Sequence, residues 1–222
     1  MSKVFKQEVD TKEQRPGGPL LITLLFKQSV DLPEIQRIAE VCRKHIGNVE
    51  CRKDDDKSLF IFALDHIAKF QDGEAPVQLL LTSCTNFDGK TVDDFTRSQM
   101  WDCQESHDRI LEECRYSKLA TDFLAGGLLS LERANLEMDF LAALAELFPS
   151  CEAFFFNISG KLFEADEIRN NQIEGSDRFI RYAVNVRFFT IQGTNDMMVD
   201  TLGMGTLCIP DLQYHFHDLN PN

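Results

Sequence analysis

Residues 178–191 read RFIRYAVNVRFFTI, and their alternation is the cleanest structural signal in the chain. Ile180, Tyr182, Val184, Val186 and Phe188 interleave with Arg181, Ala183, Asn185, Arg187 and Phe189. Side chains two apart on an extended strand share a face, so the spacing predicts one long strand with a wholly apolar side and a mixed side. The end of the chain follows the same rule: Leu212, Tyr214 and Phe216 alternate with Gln213, His215 and His217. Gly193-Thr194-Asn195-Asp196 supplies turn chemistry before a strand at 197–202. The expected close of the chain is an antiparallel sheet whose apolar side faces inward, leaving imidazole and guanidinium groups outward on a shared surface.

Working back toward the start, residues 20–26 form an apolar run of strand length. Asp31, with Glu34 three residues on, reads as an acidic capping box. Ile35, Ile38, Ala39, Cys42 and Ile46 then fall at helical steps and Gly47 sits at a C-terminal cap position. Strands are expected at 48–52, 59–64 and 77–82, the first two around the acidic turn Asp54-Asp55-Asp56. Residues 92–148 read as helical throughout, with Ile110, Cys114 and Ser117 on one line and Leu136, Phe140, Ala143, Leu144 and Leu147 on another. Gly126-Gly127 divides two helices in this reading and Pro149 ends the second. Strands return at 151–158, followed by a Ser159-Gly160 turn and a helical patch near 166–169.

This order of elements gives an α+β fold: mixed or antiparallel sheets with helices packed on one face, an order that also suits two ferredoxin-like α+β lobes. The expected division is a flexible arm at 1–19, ending in Pro16-Gly17-Gly18-Pro19, an N-terminal lobe at 20–90 and a C-terminal lobe at 91–222, packed as one globular unit.

With 36 acidic against 23 basic residues the formal charge is -13, which repels phosphate backbones and disfavours nucleic acid as a partner; a basic protein partner suits it better. The seven cysteines are an odd number without any C-x-x-C pair, neither a disulfide framework nor a zinc ribbon. No run approaches the ~18 apolar residues of a membrane span. The start lacks an apolar leader core, so the expected location is the cytoplasm, with no membrane partner.

The strings QMWDCQESHDRILEECRYSKLATDF at 99–123, ELFPSCEAFFFNISGKLF at 146–163, RFIRYAVNVRFF at 178–189 and VDTLGMGTLCIPDLQYHFHDLNP at 199–221 resemble the bacterial family catalogued as domain of unknown function 4261. The likeness covers the C-terminal half, through Trp101, Asp122, Ser159-Gly160-Lys161 and Thr201-Leu202-Gly203-Met204, and covers residues 20–90 loosely. It implies a bacterial protein and brings no activity with it.

Among the residues themselves, His215-Phe216-His217 is the sharpest candidate. Two imidazoles on one strand face can reach one divalent metal such as zinc, with Asp200, Asp211 or Asp218 completing the set. The ordinary alternative is a solvated strand face. Arg181, Asn185 and Arg187 share the polar side of the long strand and, with Asp200, can line a groove for an anion or acidic peptide, or form cross-strand ion pairs. Trp101 is either a binding anchor or the seal at the edge of a core. Cys103 near His107, and Cys208 near His215 and His217, are nominal thiol-imidazole pairs without a motif around them. Gly203-Met204-Gly205 lacks the Lys and spacing of a phosphate loop and reads as a bend. Asp54-Asp55-Asp56 lacks the ligand pattern of a calcium loop. None of these meets the joint demand of geometry and activation that catalysis makes. The expectation is therefore a non-catalytic binding module without a cofactor, recognising a protein partner and suited to neutralising a basic toxin. The alternative is a metal-dependent hydrolase using His215 and His217.

Overall fold

The computed structural model describes residues 18–54, 57–170, 173, 175 and 177–217. The N-terminal arm apart from Gly18 and Pro19, Asp55, Asp56 and Asp218 lie outside them. The α+β class holds. Strands β1 (Leu21–Phe26), β2 (Val49–Asp54), β3 (Ser58–Phe70), β4 (Gly73–Thr82), β5 (Thr85–Asn86), β6 (Tyr116–Phe123), β7 (Ala153–Phe156) and β8 (Lys161–Glu164) make one antiparallel sheet. Its order is β2-β3-β4-β6-β1-β7-β8, with the short β5 also on β6. A second sheet has the order β11 (Gln213–His217), β10 (Asp196–Leu202), β9 (Asn185–Thr190).

β1 lies between β6 and β7, so strands from either side of residue 90 share one ladder. Helix α4 (Ser130–Leu147) connects β6 to β7 across β1, the split β-α-β arrangement, and α1 (Ile35–Ile46) connects β1 to β2. The period-2 rule then sorts the side chains. Ile22, Leu24 and Phe26 of β1, Phe154 and Phe156 of β7 and Phe163 of β8 enter one core with Ile38, Val41 and Cys42 of α1 and Leu136, Phe140 and Leu144 of α4. Leu25, Ala153, Phe155 and Leu162 face the other way, under residues 92–114. That covering segment holds the short helices α2 (Asp94–Ser98) and α3 (His107–Glu113).

Three expectations are corrected. Asp31 does not cap α1: the helix opens after Glu34, with no side-chain cap, although Gly47 ends it at φ 104° as expected. The helical reading of 92–148 hid a central strand, β6, and Gly126-Gly127 form a turn between that strand and α4 rather than between two helices. The stretch 178–191 is not one strand. The expected helical patch forms α5 (Ala165–Arg169), but residues 177–183 then form helix α6 (Asp177–Ala183), burying Phe179, Tyr182 and Ala183, and only after it does β9 begin. Phe179, Tyr182 and Ala183 stand at i, i+3 and i+4, so the same letters satisfy the helical period, and Ile180, expected on the buried strand face, is exposed.

Polar groups are also buried in the helix-covered layer. Arg133 of α4 donates from Nη2 to the Asp122 carboxylate of β6 at 3.0 Å and from Nε to Glu137 at 2.8 Å. It also reaches the Gly18 carbonyl at 2.8 Å and the Thr206 carbonyl, while Asp122 accepts the Leu20 N–H at 2.5 Å. One guanidinium cannot neutralise two buried carboxylates. Burial drives the Glu137 carboxyl up to about 8 despite Arg133, and its Oε2 has no hydrogen-bond partner. Lys118, opposite Leu24 in the ladder, is fully buried with its Nζ 5.6 Å from the Phe148 ring centroid and without a hydrogen-bond partner, and desolvation lowers its pKa.

Two outcomes follow. Lys118→Met removes an unpaired buried ammonium and is expected to raise stability by about 1–3 kcal/mol, read by denaturant unfolding. Glu137 holds its proton in the fold but loses it near 4.5 when unfolded, so its contribution is present at acid pH and lost as pH rises from there to about 8. The melting temperature should fall across that window, and Glu137→Gln should flatten the slope.

Candidate functional site

Three features lie along the second sheet. Its register places Asn185, Arg187, Phe189, Asp196, Met198, Asp200, Leu202, Gln213, His215 and His217 on one face. Val186, Phe188, Met197, Val199, Tyr214 and Phe216 occupy the other. The grouping of imidazole and guanidinium on a shared face is as expected. The orientation is not, because it is the polar face that leans on the body. Asn185 is buried, donating to the Gln99 and Ser159 carbonyls at 3.1 Å each, and Phe189 stacks on Phe95 of α2 at 5.5 Å. Alternation shows that two faces differ; it does not say which one the rest of the chain covers.

The first feature is a cleft of about 430 Å³ between this polar face, α2 and the side of the large sheet that faces away from α1 and α4. Thr23, Ser117, Phe155, Asn157, Ser159 and Arg187 contribute to its wall. Most polar groups there are already engaged. Arg187 makes a two-pronged pair with Asp200 at 2.9 and 2.6 Å, Thr23 donates to Asn157 at 2.9 Å, and Asp93 accepts from the Thr96 N–H at 2.7 Å. The Ser159 hydroxyl, in contrast, is buried without a partner. The anion groove expected from Arg181, Asn185, Arg187 and Asp200 does not form. Arg187 is neutralised by Asp200, and Arg181 sits on α6, paired with Asp102 and with Glu167 at 2.6 Å. Lys161 completes that separate cluster, 2.9 Å from Asp102.

The second feature is at the far end of the same face. His215 Nε2 lies 3.2 Å from the Asp196 carboxylate, which His217 Nδ1 also contacts. Asp196, not Asp200 or Asp211, is the carboxylate beside the two imidazoles: Asp211 instead accepts from Met204 N at 3.0 Å and Thr201 Oγ1 at 3.3 Å. Asp196 went unnoticed in the sequence because only the β10–β11 register places it opposite His217.

The third feature is the apolar face, which stands open. Leu212 is 67 % exposed, Tyr214 64 %, Val186 45 % and Phe188 41 %. Trp101, 46 % exposed, meets Phe188 edge to face at 6.4 Å, so it extends this surface rather than sealing a core.

The Cys103–His107 pair does not form. Cys103 is buried, its pKa raised by desolvation, and His107 Nδ1 approaches its backbone carbonyl at 3.2 Å rather than its sulfur. Cys208 is exposed, at φ 58°. Gly203, at φ 122°, forms the expected bend, and a Cβ there would fall 2.3 Å from the Ala183 carbonyl oxygen.

These features define an α+β protein with a polar cleft, a His-Asp cluster and an open apolar sheet face. Compared with known proteins, the chain matches no family model, no curated protein and no solved structure. No helix among the described residues is long and apolar enough to cross a membrane.

Thiol titration of the native protein is expected to modify Cys208 first. Cys42, Cys103, Cys114 and Cys151, all buried, should react only on unfolding. Fast modification of Cys103 in the native state would show an activated thiol.

Proposed function

We propose that this chain is a non-catalytic protein-binding module that takes a basic partner on the open apolar face and free edge of its three-stranded sheet. The observation that carries the reading is the contiguous exposure of Val186, Phe188, Leu212 and Tyr214, with Trp101 beside them. Single exposed apolar residues are ordinary, but a sheet face of this size in water marks a contact surface. β11 is the terminal strand of its sheet, so the backbone groups on its outer side offer a template for an added strand. The excess of 36 acidic over 23 basic residues favours a basic partner and speeds its approach. Neutralisation of a basic toxin is one role of this kind, and the resemblance to the bacterial family is compatible with it.

The hydrolase alternative has less behind it. His215 and His217 stand on open surface outside the cleft, and Asp200 and Asp211 are already held by Arg187 and by Met204 and Thr201.

The test compares immobilised wild type with Phe188→Asp, Tyr214→Asp and, as a control, Leu129→Asp on an exposed residue away from this sheet. A basic protein should be retained by wild type and control. The purified partner should bind either face variant at least about tenfold more weakly, with affinity falling as salt rises. Retention that both face variants leave unchanged, or no retained protein at all, would overturn the proposal. So would a wild-type dimer that the face variants convert to monomer, since the surface would then serve a second copy.

A further inference from the structure

We infer that Asp196, His215 and His217 together bind one divalent transition-metal ion of the zinc class, linking β10 to β11. The sheet presents the three side chains to one point. His215 and His217 are two apart on β11 and so project from the same face, and the register sets Asp196 opposite His217 and Met198 opposite His215. One ligand atom from each of the three lies within 4.8 Å of the other two. An ion bound at roughly 2.0–2.2 Å from tetrahedral ligands requires those ligands to stand about 3.4 Å apart, so small rotations of the side chains suffice. The imidazole centroids are 5.2 Å apart with the ring planes inclined at 52°, so the rings do not block each other from a common ion.

The backbone position that carries the carboxylate is fixed by the turn. Asp196 N–H donates to Thr194 Oγ1 at 3.0 Å and its carbonyl accepts the Ile191 N–H at 2.9 Å, closing the turn between β9 and β10. Two imidazoles and one carboxylate suit zinc, copper or nickel rather than calcium or magnesium, which prefer oxygen. Both imidazoles are exposed, so an ion has a direct path in, and the remaining coordination positions face solvent. The inference does not depend on the partner-binding reading. An ion here ties β11, the terminal strand of its sheet, to its neighbour through side chains.

The experiment uses full-length, untagged protein stripped with chelator and titrated with Co(II), then with Zn(II) in competition. The expected result is one Co(II) per chain with a visible spectrum typical of nitrogen and oxygen ligands, displaced by Zn(II). Nickel(II) should broaden the imidazole proton resonances of His215 and His217 in the wild-type protein, a readout that needs no variant. His215→Ala and His217→Ala should each weaken binding at least about tenfold and Asp196→Asn should also weaken it, with unchanged circular dichroism in the absence of metal. Cys208→Ser should leave affinity unchanged. A thiolate charge-transfer band, affinity insensitive to both histidine variants, or a dissociation constant weaker than about 1 mM for wild type would overturn the site.

Discussion

Arg133 is the group on which the architecture turns. It sits inside the layer between α4 and the large sheet and makes contacts with four separate parts of the chain: Asp122 on β6, Glu137 on its own helix, the Gly18 carbonyl at the entry to β1 and the Thr206 carbonyl just beyond β10. A buried ion pair of this kind is poor evidence for net stability, because desolvation offsets most of its attraction. Its value here is positional. Desolvation pushes both the Asp122 and the Glu137 carboxyls up, Glu137 to about 8, since one guanidinium cannot balance two buried carboxylates. Loss of Arg133 would strand Asp122 and leave two chain segments without the donor that ties them to α4.

The second sheet is placed from the same cluster. Ser130 at the head of α4 donates to the Leu207 carbonyl at 2.9 Å, one residue beyond the carbonyl that Arg133 holds. From this anchorage β9 runs along the cleft, where Asn185 and Phe189 find partners on the body and Arg187 pairs with Asp200 of the neighbouring β10. Its apolar residues are thereby turned away from the chain that made them. The polar cleft, the His-Asp cluster and the open face are thus three results of one orientation.

Much of the fold was legible where one periodicity stood alone. β1, α1, β7 and β10 fall where an apolar run, alternation or helical spacing put them. Reading failed where two periods fitted the same letters. Phe179, Tyr182 and Ala183 satisfy a helix as well as their neighbours satisfy a strand, and the packing of α6 decided it. β6 was hidden because it carries Lys118 and Asp122 into the interior, and buried charge erases the apolar signature of a central strand. Of the candidate site, His215 and His217 were visible as a spacing. Asp196 was not, since its place depends on a register that no local pattern encodes.

Gly203 bears on how the open face presents itself. The chain passes so close to the Ala183 carbonyl that no side chain fits between them. The exit from β10 and the end of α6 are therefore in backbone-to-backbone contact at this crossing, and any side chain there would force them apart. Under the partner-binding reading proposed above, a face fixed in this way would lose little orientational entropy when a protein settles on it. The recognition it supports would favour partners of fixed shape over those that need the surface to mould around them.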